Sequence, residues 1–243
     1  MRNRLILLPG WGLGSEPLAP LAAALQGLQP SMRVQVEPLP ILDSADVSDW
    51  LDELDANLPE DVWLGGWSLG GMLATELAAR RGERCCGLIT LASNGCFVAR
   101  NDWPQAMPNA TFAAFLAECA ANPGSALKRF SLLCAQGAAD PRGLARLLAA
   151  GAPRSSVVEL LAGLQLLERI DTRSALQAYR GPQLHLFAAA DALVPATAAG
   201  ALLALVPDIE LGLLEQVSHA FVLERPHEVA AALLGFMCEA KDD

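Results

Sequence analysis

The sequence predicts an α/β fold, a mainly parallel sheet of about six strands flanked by helices with an inserted helical segment in its second half. Three observations carry this. Short apolar runs alternate with amphipathic helical patterns as far as residue 92, the alternation is absent from about Phe97 to Ala175, and it resumes beyond that stretch. Alternating strand and helix signals with short connections require crossovers, and crossovers make parallel sheets. The predicted layout is a core of residues 1–96 and 176–243 with a helical lid over 97–175.

In order, Arg4 to Leu8 is an apolar strand closed by the glycine-rich loop Pro9-Gly10-Trp11-Gly12-Leu13-Gly14. Pro17 to Leu28 repeats leucines at helical spacing, Arg33 to Glu37 alternates as a strand, and Ala45 to Leu58 places Val47, Trp50, Leu51, Leu54 and Leu58 on one helical face. Val62-Trp63-Leu64 opens a third strand, Met72 to Arg80 a helix, and Gly87 to Ala92 a fourth strand. Within the insertion, Ala110–Ala121, Ser125–Gln136, Pro141–Ala150 and Ser156–Glu168 read as helices. Gln183–Ala188 and Ile209–Leu214 then read as strands, with helices over Ala196–Leu205 and Pro226–Met237, the last carrying proline in its first turn.

Composition narrows the class of function. The 243 residues are 53% hydrophobic with mean hydropathy +0.32, enough to bury a sizeable core. A net charge of −10 and a pI near 4.8 argue against nucleic acid as a general partner. No apolar run reaches the roughly 18 residues of a membrane span, and the stretch before Pro9 is too short for a secretion signal. Cys85, Cys86, Cys96, Cys119, Cys134 and Cys238 show neither disulfide-rich density nor zinc spacing, so a reducing cytoplasm and no metal are expected.

The chemistry centres on Leu64-Gly65-Gly66-Trp67-Ser68-Leu69-Gly70-Gly71, where a strand stops at glycines and a helix begins at once. Gly66-x-Ser68-x-Gly70 fits a nucleophile elbow, a strained turn that lifts a serine hydroxyl above a sheet. A serine needs a base, and the chain has three histidines. His185 lies inside a strand and reads as a core imidazole. His227 follows Pro226 at a helix start and reads as solvated or capping. His219, on the loop after the last strand, lies at the sheet edge where the elbow opens.

A carboxylate on an intervening loop should orient that imidazole. Asp191, directly after the penultimate strand, gives the order Ser68, Asp191, His219; Asp171 and Glu215 are weaker candidates. The oxyanion hole calls for two backbone N–H groups, from Leu69 after the nucleophile and from Trp11 on the first loop.

These residues resemble the α/β-hydrolases, and within them the pimeloyl-acyl carrier protein methyl ester esterases of biotin synthesis. Leu7-Leu8-Pro9-Gly10-Trp11-Gly12-Leu13 is similar to that family's oxyanion loop, and Trp63 to Gly71 to its elbow. Cys96-Phe97-x-Ala99-Arg100-x-Asp102-Trp103-Pro104, which the fold does not require, is the specific match. Lys128-Arg129-Phe130 and Leu164 to Arg173 also resemble lid positions there. The chain departs from the family at Pro9, where a histidine is usual, and at Pro38 to Asp43, which lacks the usual Asp-x-x-Gly-x-Gly-x-Ser pattern. It also opens directly at the oxyanion strand, without the antiparallel hairpin common in the fold.

The resemblance implies serine-dependent hydrolysis of the methyl ester of pimeloyl-acyl carrier protein, releasing methanol, with no cofactor; a monomer is expected. Trp11, Trp67, Phe97, Phe130 and Leu193 are the expected substrate-binding residues. From Ser125 to Val158 the charge is +4, leaving −14 for the rest of the chain. Lys128, Arg129, Arg142, Arg146 and Arg154 are therefore expected to dock the acidic carrier protein, against the plainer reading of a solvated helix face. A hydrolase of the same fold acting on another ester, a lactone or a carbon–carbon bond would keep every triad residue, whereas a non-catalytic binding protein would be expected to lose one.

Overall fold

The structure, a computed structural model, describes residues 3–153 and 155–242. The predicted architecture is present. Six strands form one sheet in the order β2-β1-β3-β4-β5-β6, every neighbouring pair parallel. They are β1 (Arg4–Leu8), β2 (Arg33–Val36), β3 (Val62–Trp67), β4 (Cys85–Leu91), β5 (Gln183–Ala188) and β6 (Glu210–Leu214). The central strands β1, β3, β4 and β5 are nearly wholly buried, as expected where helices cover both faces, while β2 and β6 are half-exposed edges.

Helices α1 (Ala19–Leu28), α2 (Val47–Asn57) and α3 (Leu69–Arg81) cross over between the first four strands. Asp46 caps α2 by accepting the Ser48 N–H. Buried Arg81, at the end of α3, ties the two helices together by bonding the Asp55 carboxylate at 2.7 Å and the carbonyls of Leu58 and Pro59. The described chain closes with α9 (Thr197–Leu205), α10 (Phe221–Glu224) and α11 (Pro226–Asp242). No helix among the described residues is long and apolar enough to cross a membrane.

Between β4 and β5 lie α4 (Asn109–Ala121), α5 (Pro123–Ala135), α6 (Pro141–Gly151), α7 (Val157–Arg169) and the short α8 (Arg173–Ala178). Each of the middle three has a side-chain cap: Asn122 for α5, Asp140 for α6 and a full Ser156/Glu159 capping box for α7. The two ends of this insertion are pinned to each other. Cys96 bridges to Asp171, and both the N–H and the hydroxyl of Thr172 donate to the Gly95 carbonyl. Arg173 binds Asp171 at 2.7 Å and Asp102 at 2.8 Å and lies over the Trp103 ring, while Arg100 donates to the Arg169 carbonyl. The Cys96–Pro104 motif is thus a clasp at the base of the helical segment.

Candidate active site

Ser68 stands at the junction of β3 and α3 with φ +56° and ψ −121°, a conformation that side chains rarely adopt. The surrounding glycines are a steric requirement. A Cβ on Gly66 would lie 2.1 Å from the Gly70 carbonyl carbon, one on Gly70 2.3 Å from the Leu8 oxygen, and one on Gly71 2.1 Å from the Ser93 hydroxyl. The turn is held from β4 as well: the Ser68 N–H donates to the Leu91 carbonyl and the Ser93 hydroxyl to the Ser68 carbonyl, at 2.8 and 2.6 Å. Strain of order 1–3 kcal/mol at such a residue persists only where the surroundings over-determine it, and here they do.

His219 lies on the loop after β6 and is fully buried. Its Nδ1 is 2.7 Å from Asp191 Oδ2, and the other carboxylate oxygen accepts the N–H groups of Leu193 and Val194 at 2.7 and 2.9 Å. Asp191 therefore acts as an acceptor, and the bond between them is donated from Nδ1, which leaves Nε2 as the ring nitrogen free of the carboxylate. Nε2 is buried and without a hydrogen-bond partner among the described residues. A buried unpaired nitrogen is costly in a core and useful where a proton must be received.

The loop is anchored on several sides. The Trp67 indole N–H donates to the His219 carbonyl, Ala220 N–H to Cys134 O, and Ala190 N–H to Val217 O.

The other carboxylates and histidines sit elsewhere. Asp171 is consumed by Arg173 and Arg100, and the Arg173 guanidinium lowers its pKa to about 2. Glu215 is exposed. His185 packs inside the sheet with Nδ1 2.6 Å from the Thr90 hydroxyl, its pKa pushed down to about 3 by burial, and His227 is exposed at the start of α11.

The first loop meets the elbow directly. A Cβ on Gly10 would lie 3.4 Å from Ser68 Cβ, which places the backbone at Gly10 beside Ser68 and the N-terminus of α3. The Trp11 ring is buried, donates from Nε1 to the Leu160 carbonyl on α7, and packs edge-on against Phe115 and Phe130. Gly163 on α7 makes room for it, since a Cβ there would lie 2.6 Å from the indole.

Phe97, Phe130 and Leu193 line one apolar pocket with Met107, Phe115 and Leu164, with about 20 Å³ of free space. Trp11 borders a separate groove of about 320 Å³ walled by Pro38–Leu42, Pro153 and Glu159. Trp67 lines neither, its ring lying at 5.7 Å from the His219 ring.

Of the basic residues in the insertion, Arg142 and Arg146 are exposed on α6 and Lys128 on α5. Arg129 pairs with Glu118 at 2.6 Å. Arg154 lies outside the described residues. Sequence reasoning missed Ser93, the Trp67 bond to His219, and Glu224, whose carboxylate binds Ser218. Only contacts between distant stretches identify the first two.

The model of the alpha/beta hydrolase family matches residues 5–232. The chain is 36% identical over 238 residues to the biotin biosynthesis bifunctional protein BioHC of Cellvibrio japonicus, covering 97% of this chain and 47% of that protein, so it spans about half of that relative's length. It is 33% identical over 245 residues to the pimeloyl-[acyl-carrier protein] methyl ester esterase of Aromatoleum aromaticum, covering 96% of this chain and 97% of the relative. Among solved structures, the bromoperoxidase from Bacillus anthracis superposes with a TM-score of 0.83 at 18% identity, covering 98% of this chain and 92% of the other, a likeness of fold.

Proposed function

Because the chain belongs to the alpha/beta hydrolase family and groups within it with the pimeloyl-[acyl-carrier protein] methyl ester esterases, we propose that it is a carboxylic ester hydrolase that demethylates pimeloyl-[acyl-carrier protein] methyl ester in biotin synthesis. The observation that carries the reading is the buried Asp191–His219 pair, which leaves Nε2 without a hydrogen-bond partner among the described residues.

In this reading the Ser68 Oγ attacks the methyl ester carbonyl while His219 Nε2 takes its proton, and the Asp191 carboxylate holds the imidazolium that results. Negative charge on the carbonyl oxygen is met by the N–H groups of Leu69 and Trp11, with the N-terminus of α3 adding its dipole. His219 returns the proton to the departing methoxide, methanol leaves, and water activated by the same nitrogen releases the acid from Ser68. The reaction needs no metal or organic cofactor.

Ser68 is 4% exposed and His219 not at all, so the helical segment serves as a lid that must shift to admit a substrate. The pocket of Phe97, Phe130 and Leu193, with room for about one water as it stands, takes the acyl chain once that shift has opened it. Lys128, Arg142 and Arg146 meet the acidic carrier protein, and the enzyme works in the cytoplasm. The deciding experiment is mass spectrometry of pimeloyl-[acyl-carrier protein] methyl ester incubated with the enzyme. A loss of one methylene mass, abolished in Ser68→Ala, is expected; unchanged substrate mass with the intact enzyme would reject the substrate.

A further inference from the structure

One carboxylate beside the site is not part of the triad and is held by hydrogen bonds rather than left free in solvent. Glu224, at the end of α10, is half-buried, and its Oε1 accepts two hydrogen bonds from the same residue: the Ser218 N–H at 2.8 Å and the Ser218 hydroxyl at 2.6 Å. The Ser218 oxygen in turn accepts the Ala220 N–H at 3.2 Å. The residues on either side of His219 are thus gathered onto one carboxylate oxygen through one hydroxyl, and Ser218 is itself fully buried.

We infer that Glu224 is a positioning residue for His219, acting through Ser218. The need for one follows from what Asp191 leaves undone. A hydrogen bond at Nδ1 fixes the tautomer and the direction of the ring, but the place of Nε2 relative to Ser68 also depends on the main chain that carries the ring. That main chain is an irregular loop entered through Gln216, a non-glycine residue with φ +56°. Loops of this kind drift unless tied down, and displacement by about 1 Å is enough to cost roughly 100-fold in rate. Charge-assisted bonds such as the 2.6 Å contact from the Ser218 hydroxyl are stronger than neutral ones, which suits a carboxylate to the task.

The inference rests on the reading of His219 as the base, and the test separates the two. Glu224→Gln keeps the shape and removes the charge; Ser218→Ala removes the hydroxyl and leaves Glu224 in place. Hydrolysis of p-nitrophenyl acetate is measured per folded enzyme, with the folded fraction taken from near-ultraviolet circular dichroism.

Each variant should lower kcat by about 10- to 100-fold with KM changed less than about 2-fold. The double variant should be little worse than the poorer single one, because both interrupt one chain of bonds. Placed in a His219→Ala background, Glu224→Gln should leave the residual rate unchanged. Should Glu224→Gln fail to fold, Ser218→Ala carries the same comparison. Unchanged kcat in the single variants, or an equal fold-loss in the His219→Ala background, would overturn the positioning role while leaving the triad intact. Full activity of His219→Ala itself would overturn the triad and this inference together.

Discussion

The indole nitrogen of Trp67 and the main-chain oxygen of His219 are 2.9 Å apart, so the residue preceding Ser68 holds the backbone of the histidine paired with Asp191. The distance between the serine and histidine loops is therefore set by a side chain as well as by the sheet. Trp67→Phe keeps most of the packing and removes the donor, leaving a buried carbonyl unpaired at a cost of about 1–3 kcal/mol. A lower urea midpoint with an unchanged m-value is expected, together with a fall in kcat for a short ester. An unchanged midpoint would mean that water or another group replaces the bond.

Asp191 and Asp171 are separated by the company they keep. Asp191→Asn should lower ester hydrolysis by up to about 10⁴-fold, since the amide favours the wrong tautomer of His219. Asp171→Asn should loosen the clasp with Arg173 and Arg100 and cost stability, with less than about 10-fold loss of activity. Steady-state kinetics on both variants decides, and the reverse ranking would reassign the acid.

A half-buried carboxyl and a buried imidazole give opposite dependences of stability on pH. Glu76 on α3 is pushed up to about 7 by burial, with Asp171 adding to the effect. Between its ordinary 4.5 and about 7 the folded chain holds a proton that the unfolded chain has released, so this contribution is full below 4.5 and lost as pH rises through 7. His185 is pushed down to about 3 by burial, so its contribution is present above 6.5 and lost as pH falls toward 3. Glu76→Gln imitates the protonated acid. After discounting for partial exposure, it should raise Tm at pH 8 by about 2–4 °C and change it little at pH 4. Thermal melts at the two pH values check this, and an equal change at both would rule out the titration.

Arg142 and Arg146 share one exposed face of α6 and should act on encounter rather than on chemistry. Reversing both to glutamate is expected to lower kcat/KM for the carrier-linked ester about 10-fold at low ionic strength, less in added salt. Free dimethyl pimelate should be hydrolysed at nearly the normal rate. Equal losses on both substrates, measured side by side, would remove the patch from substrate delivery.

The sheet was legible because its signal is local. Apolar runs bounded by glycine and proline mark β3 and β5 within the chain itself, and the loss of alternation after Phe97 marks the helical segment. Some boundaries moved for physical reasons. α3 begins at Leu69, before the expected Met72, because Gly70 and Gly71 are required by contacts with Leu8, Pro9 and Ser93 and only look like helix breakers in isolation. The helix α8 went unseen because its six residues are too few for a periodic pattern. In the site, chain order singled out Ser68, Asp191 and His219, and the structure brings the last two into contact. The anchoring of the histidine was not legible, since Trp67 and His219 are 152 residues apart and an indole gives no sign in the sequence of which carbonyl it will find.

The parallel order of the sheet has a consequence in time. A ribosome delivers β1, β3 and the Ser68 turn early, then the whole helical segment, and only afterwards the strands whose loops carry Asp191 and His219. At roughly 5–20 residues per second, the 152 residues between Trp67 and His219 take about 8–30 s to synthesise. Under the proposed mechanism Ser68 has no base during that interval. On that mechanism a nascent chain is unable to cleave esters until its final strand has docked, and ester hydrolysis becomes a readout of completed folding rather than of the elbow alone.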